Sequence, residues 1–374
     1  MSSIFGNKFK VSIFGESHGK AIGVVLDGLP PGIKLDTDFI KEELSRRQPG
    51  KSALTTPRKE SDNFEILSGF FQGSTTGTPL CAVIYNQDSK SQDYEELKNL
   101  LRPGHADYTG FVKYGGFNDY RGGGHFSGRL TAPLVFAGAI AKQALKAWNI
   151  TMASHIKNIQ DVCDKSFDSI NVDLEALNKL RISDFPVLDE SAGRQMQERI
   201  LAAKSERDSV GGVIETIILN LEPGLGSPFF AGVESRLAHA LFSLPAVKGV
   251  EFGDGFDIAK LMGSEANDEY LLDGNKIVTS SNHNGGILGG ITTGMPIVFR
   301  VAIKPTPSIG LCQKTVDIHK MEEATITVRG RHDPCIVPRA IPAVEAASAV
   351  VILDLLLERK GEDGSAAGIQ GTDR

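Results

Sequence analysis

The sequence predicts a single α+β domain built from two related halves, and three observations carry that prediction. The first is an internal echo. Residues 23–32 (GVVLDGLPPG) are answered by residues 217–226 (IILNLEPGLG), each followed by an amphipathic helical pattern. Residues 73–79 (GSTTGTP) are answered by residues 290–296 (GITTGMP), each followed by an apolar strand, and residues 121–129 (RGGGHFSGR) return loosely as residues 329–339 (RGRHDPCIVPR), each leading into an apolar helix. Because the three pairs recur in one order, two copies of a unit packed together give one pseudo-symmetric domain. The second observation is strands and helices interleaved along the chain. The third is a composition, 41% hydrophobic and 23% charged over 374 residues, that suits a folded globule with a sizeable core.

Taken in order, residues 8–14 and 22–26 read as strands, the second running into the Pro-Pro-Gly turn at 30–32. Asp36 then caps a helix whose apolar residues Phe39, Ile40 and Leu44 share one face; Arg46 and Arg47 occupy its last turn and Pro49-Gly50 stops it. After the glycines at 122–124 a longer helix, from about 128 to 148, is apolar nearly all round, which predicts burial on most sides. The halves span about 8–150 and 211–359, separated by a charged, helical insertion at about 151–210 that includes a helix over 190–209. Residues 361–374 carry too little apolar area to pack and predict a disordered tail.

Composition also narrows function. The N-terminus lacks the apolar segment of a secretory signal, and no later run reads as long as the ~20 apolar residues of a bilayer span, so a cytoplasmic enzyme is expected. Cys81, Cys163, Cys312 and Cys335 are widely spaced and read as reduced thiols rather than a disulfide framework or zinc ribbon. A net charge of −6 argues against broad nucleic-acid binding. Any anionic ligand must therefore meet basic residues gathered locally.

Three familiar motifs fail on inspection. Residues 15–19 (GESHG) match the Gly-x-Ser-x-Gly elbow of serine hydrolases, but only one strand precedes them. Gly50-Lys51-Ser52 ends like a phosphate-binding P-loop, yet position 45 is serine where that loop needs glycine. The run at Gly122 and Gly124 breaks at Ser127, so no dinucleotide fingerprint forms. What remains is a set of loops rich in Gly, His and Arg. Residues 122–129 let backbone approach a ligand at a helix N-terminus, where free N–H groups favour anions. Taken singly, Arg46 and Arg47 read as helix-end cations, His18 and His105 as structural histidines, and His105 with Asp107 as a metal pair lacking a third ligand. Their joint occurrence is more informative than any one of them.

In order, FGESHG (14–19), DGLPPG (27–32), RRQPG (46–50), RPGHADYT (102–109), KYGGFNDYRGGG (113–124), SNHNGGILGG (281–290), KPTPS (304–308), RGRHDPC (329–335) and PRAIPAVEAA (338–347) resemble the chorismate synthase family from residue 8 to about 358. The resemblance implies a sandwich of two antiparallel sheets flanked by helices, a homotetramer, 5-enolpyruvylshikimate 3-phosphate as substrate and reduced FMN (FMNH2) as cofactor. It further implies His18 and His105 as proton-handling residues, with Asp333 and Ser127 relaying a proton, and Arg46, Arg47, Arg102, Arg129 and Arg331 as ligands of the polyanionic substrate. The implied flavin wall is His125, Phe126 and Ser127, then Ala246, Gly289, Lys304, Pro305, Thr306, Pro307 and Ser308, with Arg331. Planar guanidinium groups suit carboxylates and phosphate through paired charged hydrogen bonds, and imidazoles titrate near neutral pH. Two departures stand out: His125-Phe126-Ser127 where many members read Arg-Ser-Ser, and Ala53 where many carry an arginine associated with a nicotinamide or substrate contact, a place Lys51 could fill. With no nicotinamide-binding domain legible, an external flavin reductase is the expected electron source.

Overall fold

The computed structural model describes residues 3–50, 54, 62–86, 98–328 and 333–362. Its helices are α1 (Thr37–Arg47), α2 (Asp107–Tyr114), α3 (Thr131–Leu145), α4 (Leu174–Ile182), α5 (Glu190–Ser205), α6 (Val233–Phe242), the single turn α7 (Gly263–Ala266) and α8 (Val337–Glu362). Two five-stranded antiparallel sheets carry the rest of the core. The first runs Ile4–Phe5, Lys10–Gly15, Ala21–Asp27, Leu80–Tyr85, Phe64–Ser68 across its width, and the second Val247–Phe252, Ile297–Ile303, Gly212–Leu219, Thr151–Ile159, Val162–Cys163.

The two antiparallel sheets and their helices are those expected. α3 packs on Lys10–Gly15, Ala21–Asp27 and Leu80–Tyr85; α8 packs on Thr151–Ile159 and Gly212–Leu219; and the two helices lie against each other. These layers run sheet, helix, helix, sheet, and α4 packs Leu177 and Leu180 against Ala153, Ile217 and Leu219 of the second sheet. Apolar residues all round a helix suit a middle layer, because both of its faces leave water. Phe136, Ile140 and Leu145 of α3 and Val344, Val351 and Leu355 of α8 are buried, each contributing about 1.5–3 kcal/mol of transfer free energy. Where the helices come closest, a Cβ on Gly138 would stand 2.3 Å from Ala346 Cα, so only glycine permits the crossing. α8 is also long and apolar enough to cross a membrane by length and composition, contrary to the reading that no run approaches that length. Its apolar stretch is 89% buried, the mark of a core helix.

Both halves wire their turns alike. Thr75 Oγ1 donates to Pro30 O (2.7 Å) and accepts from Ile33 N (3.0 Å), while Gly32 N donates to Thr75 O (2.8 Å). Thr292 Oγ1 donates to Glu222 O (2.6 Å) and accepts from Leu225 N (2.9 Å), while Gly224 N donates to Thr292 O (2.9 Å). Each threonine hydroxyl thus satisfies backbone groups that burial would otherwise leave costly.

Boundaries shift where chemistry overrides pattern. The predicted strands appear as Lys10–Gly15 and Ala21–Asp27; the helix expected over 128–148 is a 3-10 turn (Gly128–Leu130), α3, and a second 3-10 turn (Lys146–Trp148). The segment from 151, expected as helical insertion, begins instead with Thr151–Ile159, a strand beside the centre of the second sheet, so the insertion proper lies between that strand and Gly212–Leu219. Its last helix ends at Ser205 rather than 209. His155, fully buried in that strand, bonds Asp164 through Nδ1 (3.0 Å) and Glu215 through Nε2 (3.0 Å), tying the insertion to the sheet. Of the tail expected over 361–374, the first two residues close α8 and the rest lie outside the described residues.

Candidate active site

A cavity of about 860 Å3 opens where the N-terminal ends of α3 and α8 meet, and it draws side chains from both halves. Two helix N-termini favour negative charge there before any side chain is considered.

Its floor is the glycine run. Gly122, Gly123 and Gly124 have φ of 58°, 83° and 52°, a left-handed path that side chains resist. The reason is proximity: a Cβ on Gly122 would stand 2.2 Å from His18 Cε1, and one on Gly123 3.0 Å from His105 Cε1. Two imidazoles from distant loops thus rest on successive glycines. His18 lies in the hairpin loop between Lys10–Gly15 and Ala21–Asp27, where Asn86 Nδ2 donates to Glu16 O (3.1 Å) and Gly19 O (2.9 Å). No helix follows Ser17, so the hydrolase elbow is absent. Ser17 Oγ sits 3.0 Å from His18 Nδ1 and 3.2 Å from the carbonyls of Arg121 and Gly122.

His105 lines the cavity and is oriented from behind, its Nδ1 lying 2.7 Å from Asp107 Oδ1 at the start of α2. Arg102 grips the same carboxylate through Nε (2.8 Å) and Nη2 (2.7 Å). Burial favours the protonated Asp107, but hydrogen bonds from His105 and Arg102 and the Arg102 charge outweigh it and hold the carboxyl well below the usual range. With Nδ1 set against that carboxylate, Nε2 is the ring nitrogen turned away from it. Asp107, weighed as a metal ligand, is spent on this support.

Beside the imidazoles stands an arginine cluster. Arg47 bonds Asp62 through Nε (3.2 Å) and Nη2 (3.0 Å); Arg129 bonds the same carboxylate through Nη1 and Asn86 Oδ1 through Nε (3.2 Å). Arg339 pairs with Asp333 and donates from Nε to Arg47 O (2.9 Å). Burial lowers the Arg47 pKa, and the charges of Arg339 and Arg129 add to that against the single carboxylate of Asp62. Among the described residues the cluster sets three guanidinium groups against two carboxylates, Asp62 and Asp333.

The remaining wall comes from the second half. Lys304, Thr306, Pro307 and Ser308 line it, with the Lys304 ammonium donating to Gly104 O and the Thr306 Oγ1 buried without a partner among the described residues. Ala246 lines it too, held at φ 73° and accepting from Lys304 N (3.0 Å). His125 places Nδ1 2.9 Å from Gly15 O, Phe126 stands over Gly110 on α2, and Ser127 Oγ accepts from Arg129 N (3.3 Å).

Arg46, Pro305, Gly289 and His18 depart from expectation: none lines the cavity, and His18 lies against Gly122, which does. Arg46 is saturated by Glu43 (3.0 Å) and Glu345 (2.7 Å) between α1 and α8, and Gly289 turns the small hairpin of Ile287–Leu288 and Ile291–Thr292. Arg331, Lys51 and Ala53 lie outside the described residues. Asp62 and Arg339 were not anticipated; the echo of residues 121–129 in 329–339 aligns Arg129 with Arg339 and was the one signal for the latter.

A family model described as chorismate synthase matches residues 9–357. The chorismate synthase of Thermococcus kodakarensis is 50% identical over 96% of this chain and 99% of its own length; that of Methanobrevibacter smithii is 48% identical over 96% and 97%. A solved structure, "Crystal Structure of Chorismate Synthase", superimposes with a TM-score of 0.75 at 32% identity, covering 96% of this chain and 94% of that one. Two imidazoles, a cation-rich wall and this likeness over nearly the whole chain place it together: the chain belongs to the chorismate synthase family, lyases that act on carbon–oxygen bonds to phosphate and serve aromatic amino-acid biosynthesis.

Proposed function

We propose that the enzyme eliminates phosphate from 5-enolpyruvylshikimate 3-phosphate, by an anti-1,4 path giving chorismate, with reduced FMN held in the same cavity. The observation that carries this reading is the convergence of Arg47, Arg129 and Arg339 on one cavity with His105, next to His18 behind Gly122. The substrate's two carboxylates and phosphate are the groups that such a wall of guanidinium groups suits.

The residues present fit a flavin. Leu134, Leu244, Ile336 and Val350 give a flat ring an apolar wall, and Lys304, Ser308 and the unpartnered Thr306 hydroxyl suit its phosphate. When bound, the reduced ring lends electron density as the phosphate leaves and takes it back, so there is no net redox change. The chain's residues do the rest. Arg47 and Arg129 hold the substrate's anionic groups through paired charged hydrogen bonds. His105 Nε2, backed by Asp107, carries a proton on the substrate side; His18 balances charge on the flavin side; Asp333 and Ser127, which line the cavity, pass on the proton removed from the substrate. Closing the cavity with both ligands excludes water, which favours elimination over hydrolysis.

Related proposals concern the surroundings. A homotetramer would cover Phe229, Phe230, Leu272 and Ile277, which are 89%, 95%, 81% and 66% exposed. Cytoplasmic location, an external reductase in place of NADPH oxidation by this chain, and descent of the two halves from one duplicated unit complete the reading.

The test is an anaerobic assay of purified protein with photoreduced FMN and the enolpyruvyl ester. Chorismate and phosphate in equal amounts support the proposal; phosphate without chorismate, or neither, overturns it.

A further inference from the structure

We propose that Asp62 is a positioning residue: its carboxylate sets Arg47 and Arg129 side by side as one fork for an anionic group of the substrate, an inference that rests on the function proposed above. The Asp62 side chain is fully buried and stays off the cavity surface, whereas both arginines line it. It precedes the edge strand Phe64–Ser68, yet it reaches an arginine at the end of α1 and another at the start of the turn before α3. Three elements from separate parts of the chain are thereby tied at one carboxylate.

Two guanidinium groups that close repel each other, and a flexible arginine loses rotamer freedom when it is fixed. A shared carboxylate removes both costs before substrate arrives. Among the described residues, Arg47 Nη1 makes long approaches to Gly128 O (3.5 Å) and Thr131 Oγ1 (3.4 Å), so that edge of its fork faces the N-terminal end of α3. Arg129 is fixed on its other side by Asn86, the residue that also holds the loop bearing His18. The arrangement therefore ties the arginine fork to the loop that bears His18.

The test uses Asp62→Asn, which removes the charge, and Asp62→Glu, which keeps the charge and displaces the oxygens by one methylene. Flavin-free protein is titrated calorimetrically with the enolpyruvyl ester and separately with inorganic phosphate, and the steady-state constants are measured with reduced FMN. Both variants are expected to weaken binding of each probe about tenfold and to raise KM by a similar factor with kcat within about threefold, the pattern of an interaction made equally in ground and transition states. Wild-type binding by folded Asp62→Glu overturns the proposal, and so does failure of Asp62→Glu to fold, which assigns the residue to the scaffold. If the wild type ignores the ester yet binds phosphate in an Asp62-dependent way, the proposed reaction falls and the positioning role stands.

Discussion

Arg46 and Arg47 leave the same turn of α1 and end in opposite surroundings. Arg46 joins Lys142, Glu43 and Glu345 in a network of two cations and two carboxylates that fastens α1, α3 and α8 together. There burial opposes its charge, but Glu345 and Glu43 outweigh burial and raise its pKa. Arg47 shares Asp62 with Arg129 and has Arg339 donating to its backbone carbonyl, and its pKa falls. A balanced buried network has nothing left to bind and holds helices in place; an unbalanced one at a cavity is completed by an anion. Charge balance, rather than burial, separates the staple from the site.

The largest effect that separates the two regions lies on the site side. His105→Ala and His18→Ala are each expected to lower kcat by about 10²–10⁴ with melting temperature unchanged, as fits loss of proton transfer; wild-type turnover in either would reduce that histidine to a structural part. On the staple side, Glu345→Ala leaves two buried cations sharing one carboxylate and is expected to cost about 3–5 kcal/mol in denaturant unfolding. The folded fraction should keep its KM. A raised KM would join the staple to the site and break the comparison.

A pH series sharpens it further. Burial favours protonated Glu345, but Arg46 and Lys142 outweigh it and depress its pKa. A carboxylate depressed in the folded state contributes stability that is complete above its unfolded value, about 4.3, and drains away as pH falls below that. Melting temperature should therefore decline with acid below about pH 4 in wild type and less steeply in Glu345→Gln. His155 has the opposite sign: burial lowers its pKa, but Asp164 and Glu215 outweigh burial and raise it. Its contribution is complete below about pH 6.5 and is lost as pH rises through the folded value, so Asn at 155 should flatten the alkaline limb. An unchanged limb would remove the clamp from the account.

How far these features were legible in sequence follows from the range of the interactions. The α1 cap was readable because Asp36 accepts from Asp38 N and Phe39 N (3.0 Å each), a bond made within four residues. The glycine run and its two histidines were readable as residue types, since only glycine follows that path. Thr151–Ile159 was not, because its buried Ser154 and His155 are satisfied by Thr216 and Glu215 far along the chain and by Asp164 beyond the strand's end, and polar residues break the apolar pattern of a strand. Arg46 and Arg47 could not be told apart for the same reason: their partners at 345 and 62 are fixed by packing. The all-round apolar character of α3 signalled burial without saying that sheets would lie outside both helices.

The most direct test takes the two neighbours together. Arg46→Lys and Arg47→Lys keep the charge and remove the planar fork, and each is measured for KM of the enolpyruvyl ester and for melting temperature. The account predicts that Arg47→Lys raises KM about tenfold or more, while Arg46→Lys keeps KM within about twofold and lowers the melting temperature. An equal rise in KM from both would contradict it.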